Sequence, residues 1–467
     1  MQLKVYNSLT KQKTAITPQN NTVNFYFCGP TVYWFQHIGN MRAFFVMDSM
    51  RRAVKYLGYK INHAMNITDV GHMTSDQDEG EDKMEVAAKR EQKRPEEVAK
   101  FYWEACHKDM QALNIEDPEH ICPATSVIPE IIAFISDILK NGYGYITNNG
   151  VYYDTSKFKD YGKLGGMNQN EKKFGARIEV DSQKRNPADF VLWVKAKDNH
   201  IQRWESPWGV GYPGWHIECS AIGNKFFGDQ IDLHGGGIEH KTVHHENEIA
   251  QNYAKTGKNV VKNWFHLEHL MFNGGKMSKS KGEIYTLSAL EKKGYSPMDL
   301  RMFFLSAHYS KQQNFTLEAL NNARESLSNL KRLLQKHKAS NQPTDPKQIE
   351  ELNQKFSCYL ADDVNTPLAL SVVWDALKNY PASIDIYNLI IKFDSFLGLR
   401  LDQIEQAQTK AQTENDIPLE VIELANKRKL ARQQKDFALS DSLRSQIQAL
   451  GYTLIDKPQN EYELKKL

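Results

Sequence analysis

The sequence predicts an α/β protein. A doubly wound parallel-sheet domain carries an insertion and is followed by an α-helical bundle and a small C-terminal domain. Three observations carry this. Residues 22–68 read as strand, turn, helix and strand, the opening of a doubly wound sheet. Residues 120–200 are instead broken by Gly and Asn turns. From Leu317 onward an apolar stripe repeats at helical spacing.

Taken in order, Thr22–Cys28 is rich in β-branched and aromatic residues and reads as a strand, closed by the turn at Gly29 and Pro30. From Ile38 to Leu57, Met41, Phe44, Phe45, Met50, Val54 and Leu57 recur near helical spacing, and Gly58 ends the run. Lys60–Thr68 reads as the second strand. Pro95 opens a further helix to Leu113. The expected sheet domain comprises 1–119 and 201–295, with 120–200 as an inserted subdomain. A segment 296–401 forms the bundle, where Leu317, Leu320, Leu327, Leu330, Leu333 and Leu334 face inward and Thr316 is the N-cap. Gln-rich residues 402–417 suit a flexible linker, and 418–467 form a basic tail domain.

Composition narrows the class. With 467 residues, 25% of them charged and 40% apolar, the chain is long enough for several domains and globular in composition. Mean hydropathy is −0.60, and no apolar run approaches membrane length. The N-terminus has no signal-like apolar stretch, which points to the cytoplasm. Five cysteines, at 28, 106, 122, 219 and 358, make no disulfide framework. The net charge of +2 conceals acid around 76–85 and base at Lys427, Arg428, Lys429, Arg432 and Lys435, a run expected to make a basic helix face.

Three groups of residues carry chemistry. His37, Ile38, Gly39 and Asn40 stand where the first strand yields to a helix. Free N–H groups and the positive helix end favour phosphate there, and Gly39 allows close approach to the backbone. Lys276 and Lys279, with Ser278 and Ser280 on a loop hinged by Gly274 and Gly275, suit a mobile clamp on a polyphosphate. Cys28, Cys219, His244 and Glu248 offer two sulfurs, a nitrogen and an oxygen, a set suited to tetrahedral Zn²⁺. His244 and Glu248 share a helix face at i, i+4, while His245 stays open as the alternative ligand.

Together these residues resemble the cysteinyl-tRNA synthetases, within the class I aminoacyl-tRNA synthetases. The resemblance runs through Asn186–Trp193, Trp204–Gly209, Gly214–Ala221, His234–Gly237, His244–Ala250, Ala361–Pro367 and Arg432–Arg444. It implies a Rossmann-like catalytic domain and one Zn²⁺ per chain held by Cys28, Cys219, His244 and Glu248. It also implies an amino-acid pocket lined by Thr68 and Trp215, and an adenosine site against Gly235, Gly236 and Gly237. His37, Asn40, Lys276 and Lys279 would serve catalysis on ATP, which brings Mg²⁺. The implied reaction activates L-cysteine to an adenylate and transfers it to tRNA(Cys), by a chain acting as a monomer. Zinc suits the selection of cysteine, because a hydrophobic pocket separates cysteine from serine by only about 1–3 kcal/mol. A metal binds the thiolate, whereas an alcohol stays protonated.

The sequence departs from the family in three places. Asn40 stands where the family usually has His, so it keeps a donor but no charge. An acidic segment, Val70–Glu81, is interposed after Asp69. Lys241, Thr242 and Val243 replace the usual apolar-Pro before the histidine pair. The basic tail resembles the family's anticodon-recognising region, and His308, Tyr309 and Lys311 a segment on the path of the tRNA stem. A ligase of the same catalytic fold acting on a small amine, of the mycothiol type, is the alternative. The long C-terminal extension favours tRNA.

Overall fold

The computed structural model describes residues 1–71, 82–166, 183–198, 200–272, 275–276, 285–403, 419–433, 436–457 and 461–466. The chain divides into two units, Met1–Leu399 and Arg400–Leu467.

The first unit begins with a hairpin of β1 (Lys4–Asn7) and β2 (Gln12–Ala15). β3 (Thr22–Phe27), α1 (Ile38–Tyr56) and β4 (Lys60–Ile67) follow, close to the ranges expected from the sequence. Phe25, Tyr26 and Phe27 of β3 are all buried, as befits a parallel strand covered on both faces. α1 starts on a capping box. His37 Nδ1 accepts from the Asn40 N–H, and Asn40 Oδ1 accepts from the His37 N–H, both at 3.2 Å. Gly58, at φ +87°, turns the chain out of the helix end. Then come α2 (Lys83–Glu91), α3 (Pro95–Ala112), β5 (His120–Pro123) and α4 (Ile128–Lys140).

The insertion is an antiparallel sheet of β6 (Gly144–Ile146), β7 (Gly150–Tyr153), β8 (Phe190–Lys195) and β9 (Gly211–Pro213), in that order. Its limits differ from the expected 120–200. β5 belongs to the central sheet, pairing with β4, and β9 extends the inserted sheet to Pro213. Both strands are too short to display a period of their own, and pairing alone decides which sheet they join.

The chain returns through α5 (Trp215–Phe227), β10 (Leu233–Gly237), α6 (His244–Thr256) and β11 (Trp264–Leu267). The central sheet is parallel, in the order β11-β10-β3-β4-β5. Phe27 thus lies between Met65 of β4 and Gly235 of β10. The strand order reverses between β3 and β10, and such a reversal opens a crevice at the strands' carboxyl ends.

β12 (Leu270–Phe272), β13 (Gly275–Lys276), α7 (Leu287–Lys292), α8 (Pro297–Leu305) and β14 (Gln313–Phe315) lead into the bundle. Its helices are α9 (Leu317–Lys338), α10 (Pro346–Ala361), α11 (Thr366–Asn379) and α12 (Ile384–Leu397). Thr316 caps α9 as expected, its Oγ1 accepting from the Ala319 N–H at 3.0 Å. Leu320, Leu327, Leu330 and Leu334 are buried, while Leu317 at the helix start is exposed.

The second unit packs α13 (Leu419–Gln433), α14 (Phe437–Ala449) and the hairpin β15 (Tyr452–Lys457) and β16 (Glu461–Lys466) around Val421, Ala425, Ile447, Tyr452 and Leu454. The basic run does not form a single face. Lys427 is exposed but Arg428 is buried, with Lys429 and Arg432 between. Successive helical residues turn by about 100°, so three adjacent cations cannot point one way. Lys435 lies outside the described residues. Among the described residues no helix is long and apolar enough to cross a membrane.

Candidate active site and metal centre

A cleft of about 260 Å³ opens where the strand order reverses. Its walls include Cys28 and Gly29 after β3, His37 and Asn40 at the start of α1, Trp215 at the start of α5, and Gly237 at the end of β10. A second lobe of about 150 Å³ shares His37, Asn40 and Gly237 and continues along Leu267–Leu270. His37 and Asn40 therefore stand between two lobes, at the positive end of a 19-residue helix.

The Cys28 end of the cleft backs onto a buried donor cluster. Cys28 Sγ lies 4.0 Å from Cys219 Sγ, and His244 Nε2 lies 3.4 Å from Cys219 Sγ and 3.1 Å from Glu248 Oε1. A tetrahedral zinc, with bonds of about 2.3 Å to sulfur and about 2.0–2.1 Å to nitrogen or oxygen, spaces its ligands roughly 3.8 Å (S···S), 3.6 Å (S···N) and 3.3 Å (N···O) apart. The spacings therefore fit an ion held among the four atoms. Glu248 Oε1 is buried, facing His244 Nε2 at 3.1 Å and His245 Nε2 at 3.9 Å.

Burial pushes the Cys219 thiol up, but its hydrogen bond with Cys28 and the charge of His244 outweigh burial and bring it to about 6. Burial disfavours charge on His244 too, yet Cys219 and Glu248 raise it to about 10. Glu248, despite burial, is held at about 2 by His234 and His244. Burial and Cys219 push the Cys28 thiol well up, so the negative charge of the cluster lies on Cys219 and Glu248 with the His244 proton beside them, and that proton leaves when the ring binds a metal.

His245 forms part of a second, overlapping group with Cys28, His234 and Glu248. His245 Nε2 lies 3.3 Å from Cys28 Sγ, and its Nδ1 lies 2.8 Å from His266 Nε2. His234 Nε2 donates to Glu248 Oε2 at 2.9 Å, with its ring stacked on Trp264. These rings lie on the sheet side of the cluster. His244 packs on Trp215 of the cleft wall, their ring centroids 4.5 Å apart.

The other residues expected at the site are placed as follows. Trp215 lines the cleft. Thr68 lies one layer behind it. The Thr68 hydroxyl donates to Glu218 Oε2 and accepts from Asn66 Nδ2, each at 3.0 Å, so its side chain does not line the cleft directly. Of the three glycines only Gly237 reaches the cleft wall. A Cβ on Gly235 would lie 2.2 Å from the Phe265 ring, and one on Gly236 2.8 Å from His245. A Cβ on Gly39 would lie 2.8 Å from the His37 ring, so that glycine keeps room for histidine as well as for a ligand. Lys276 ends β13, and Lys279 lies outside the described residues, as do residues 72–81 of the acidic segment.

His308 and Tyr309 are engaged internally. The Tyr309 hydroxyl donates to Asp363 Oδ1 and His308 Nε2 to the Asp363 carbonyl. Sequence reasoning missed His216, His234, His240, His266 and Glu218. Their signal is position: His216 and Glu218 flank Trp215 and Cys219, and His234 precedes the glycines. It also missed Lys83, whose side chain reaches the cleft from α2.

Residues 15–325 match the family model for the tRNA synthetases class I (C) catalytic domain. Over 486 aligned residues the chain is 40% identical to the cysteine–tRNA ligase of Treponema denticola, covering 98% of each protein. Identity to the cysteine–tRNA ligase of Chlorobium chlorochromatii is 37% over 470 residues, again covering 98% of each. Among solved structures, Mycobacterium tuberculosis methionyl-tRNA synthetase in complex with methionyl-adenylate superposes with a TM-score of 0.56 at 14% identity, covering 81% of this chain and 88% of that one. At that identity the likeness concerns the fold.

Proposed function

The chain belongs to the cysteine–tRNA ligase family of the class I tRNA synthetases, and on that premise we propose how its cleft works. It activates L-cysteine with ATP to cysteinyl-adenylate and passes the cysteinyl group to the 3′-terminal ribose of tRNA(Cys). The observation that carries this reading is the donor set of Cys28, Cys219, His244 and Glu248 at one end of a cleft whose middle is a helix N-terminus. When bound there, zinc supplies a coordination position that a substrate thiolate fills and a serine hydroxyl does not.

The chain's own residues do the rest. Trp215 walls the amino-acid end, and Thr68 holds Glu218 behind it. The start of α1 directs its dipole at the phosphates, with His37 and Asn40 adding donors to the charge that develops there. Asn40 also closes the helix cap, a role an uncharged side chain performs fully. Lys276 and Lys279 neutralise the polyphosphate, ATP carries its Mg²⁺, and the nucleoside lies along Gly237. The cysteine carboxylate attacks the α-phosphate in line and pyrophosphate leaves. Little covalent chemistry falls to protein groups, so positioning and charge stabilisation dominate. A cytoplasmic monomer fits this reading.

The test is cysteine-dependent ATP–pyrophosphate exchange, followed by transfer to tRNA, with metal content measured in parallel. The expected result is bound zinc, exchange with cysteine but not serine, and charged tRNA. No exchange would overturn the reading. Exchange without transfer to tRNA would favour a small-amine acceptor.

A further inference from the structure

One surface beside the cleft has no part in the chemistry above. Tyr33, Trp34 and Phe35, between β3 and α1, meet the rings of α3. Phe35 lies 5.1 Å from Tyr102 and 5.9 Å from Phe101, and Trp34 lies 6.1 Å from Tyr102. The inner rings cover a small core of Val32, Ile67, Met84, Val98 and neighbours. The outer two are half exposed, Phe35 at 45% and Phe101 at 44%. The two phenylalanines make a small apolar patch at the cleft's edge.

The same surface carries cations. Arg90 Cζ lies 4.0 Å above the Trp34 ring, Lys93 Nζ 5.2 Å above Phe101 and Lys83 Nζ 5.7 Å above Tyr33. Arg90 also pairs with Glu91 and donates to the Tyr33 carbonyl and the Tyr102 hydroxyl, whereas Lys93 makes no ion pair among the described residues. Residues 83–101 hold more basic than acidic side chains. The surface is continuous with the cleft, because Tyr33, Trp34, Phe35 and Lys83 also line its wall.

We propose that this platform holds the unpaired 3′ end of the tRNA as its terminal ribose enters the cleft. Bases stack on Phe35 and Phe101, and phosphates face Lys93 and Arg90. The inference rests on the tRNA-charging reading. Exposed π faces interleaved with cations recognise single-stranded nucleic acid whatever its sequence. A duplex offers no free base face to such rings. A protein partner would gain little from so small an apolar patch whose centre is ringed by charge.

Phe101 is the informative position, since it lies outside the cleft wall. For Phe101→Ala, alone and with Lys93→Gln, cysteine-dependent ATP–pyrophosphate exchange should stay within about twofold of wild type. The kcat/KM for tRNA should fall roughly 5- to 150-fold, the loss of one stacked base. Phe101→Tyr should restore it. In binding assays, full-length tRNA should discriminate wild type from variant, whereas tRNA lacking its last four nucleotides should not. Normal exchange with unchanged tRNA kinetics overturns the platform alone. Equal loss of affinity for truncated and full-length tRNA overturns it as well, placing the contact elsewhere on the RNA. A wild-type protein without cysteine-dependent exchange overturns the underlying reading, and the platform with it.

Discussion

Asp48 offers the sharpest test of how helix α1 is held. It lies at mid-helix in α1, fully buried, and Oδ2 accepts from Arg301 Nη2 at 2.6 Å and from Arg52 Nε at 2.8 Å. Oδ1 accepts from the Glu116 N–H at 3.0 Å. Burial alone would raise its carboxyl, but the two guanidiniums and the backbone donor hold it below the ordinary range. Asp48→Asn removes the negative charge and turns an amide toward Arg301, which is itself fully buried. Stranding one member of a buried ion pair costs about 3–5 kcal/mol. Unfolding entropy near ~2.1 cal/mol/K per residue over roughly 400 residues converts this to a fall of about 4–6 °C in the melting midpoint. Lys13–Asp362 is the control, an exposed pair at 2.6 Å for which Asp362→Asn should shift the midpoint by less than about 1 °C. Replacing both partners, Asp48→Leu with Arg301→Met, should not restore stability. Arg301 also donates to the carbonyls of Leu113, Asn114 and Leu397, and these would lose their partner. Thermal melts of the four proteins decide the matter. An Asp48→Asn midpoint matching the exposed control, or full recovery in the double variant, would refute the reasoning.

Further outcomes follow from other sites. Cys219→Ser should lower zinc content and cut kcat/KM for cysteine by about 100-fold or more, beyond what outer-shell changes cost, while the KM for ATP moves less than about twofold. Equal losses for both substrates would make the metal merely structural. His200 stacks on Tyr212 and donates to Asp82 Oδ2 at 3.1 Å, with Glu85 3.7 Å away. Burial would lower its pKa, but Asp82 and Glu85 outweigh burial and raise it. Its contribution is therefore complete below about pH 6.5, the unfolded value, and fades as pH rises through the folded one. The melting gap between wild type and His200→Gln should be wider at pH 6 than at pH 9, and an equal gap would count against the ion pair. Gly235→Ala should cost about 1–3 kcal/mol through overpacking on Phe265, with partial recovery when Phe265→Leu is added, as denaturant melts can show.

The parts of the fold legible in the sequence were those whose signal is local. The strand at 22–28, the helix after His37 and the Thr316 cap are each written in one short stretch of sequence, and the structure has them there. What was not legible depends on pairing across the chain. β5 and β9 carry too little pattern to announce their sheet. Arg428 reads as one more surface cation, yet the helix turns it inward. His308 and Tyr309 look like an exposed polar step until Asp363, a residue at φ +66°, comes round to accept from both.

The donor cluster shows why resemblance was needed where periodicity failed. Cys28 and Cys219 are 191 residues apart and share no local spacing motif. They meet because β3 and β10 are neighbours at the reversal of strand order, and α5 and α6 pack beside them. The i, i+4 rule prefers His244 over His245, and each histidine belongs to a group of donors close enough to hold an ion. No spacing rule selects the surrounding histidines, whose positions follow from the glycines. Gly236 must lack a side chain because His240 and His245 occupy the space a Cβ would take, and Gly235 because Phe265 does. The glycine run is thus chiefly a packing device that lets imidazoles crowd against the sheet, with Gly237 alone facing the cleft. On this view alanine at 235 or 236 disturbs the packing around the donor cluster, and only a change at 237 acts directly on the cleft wall.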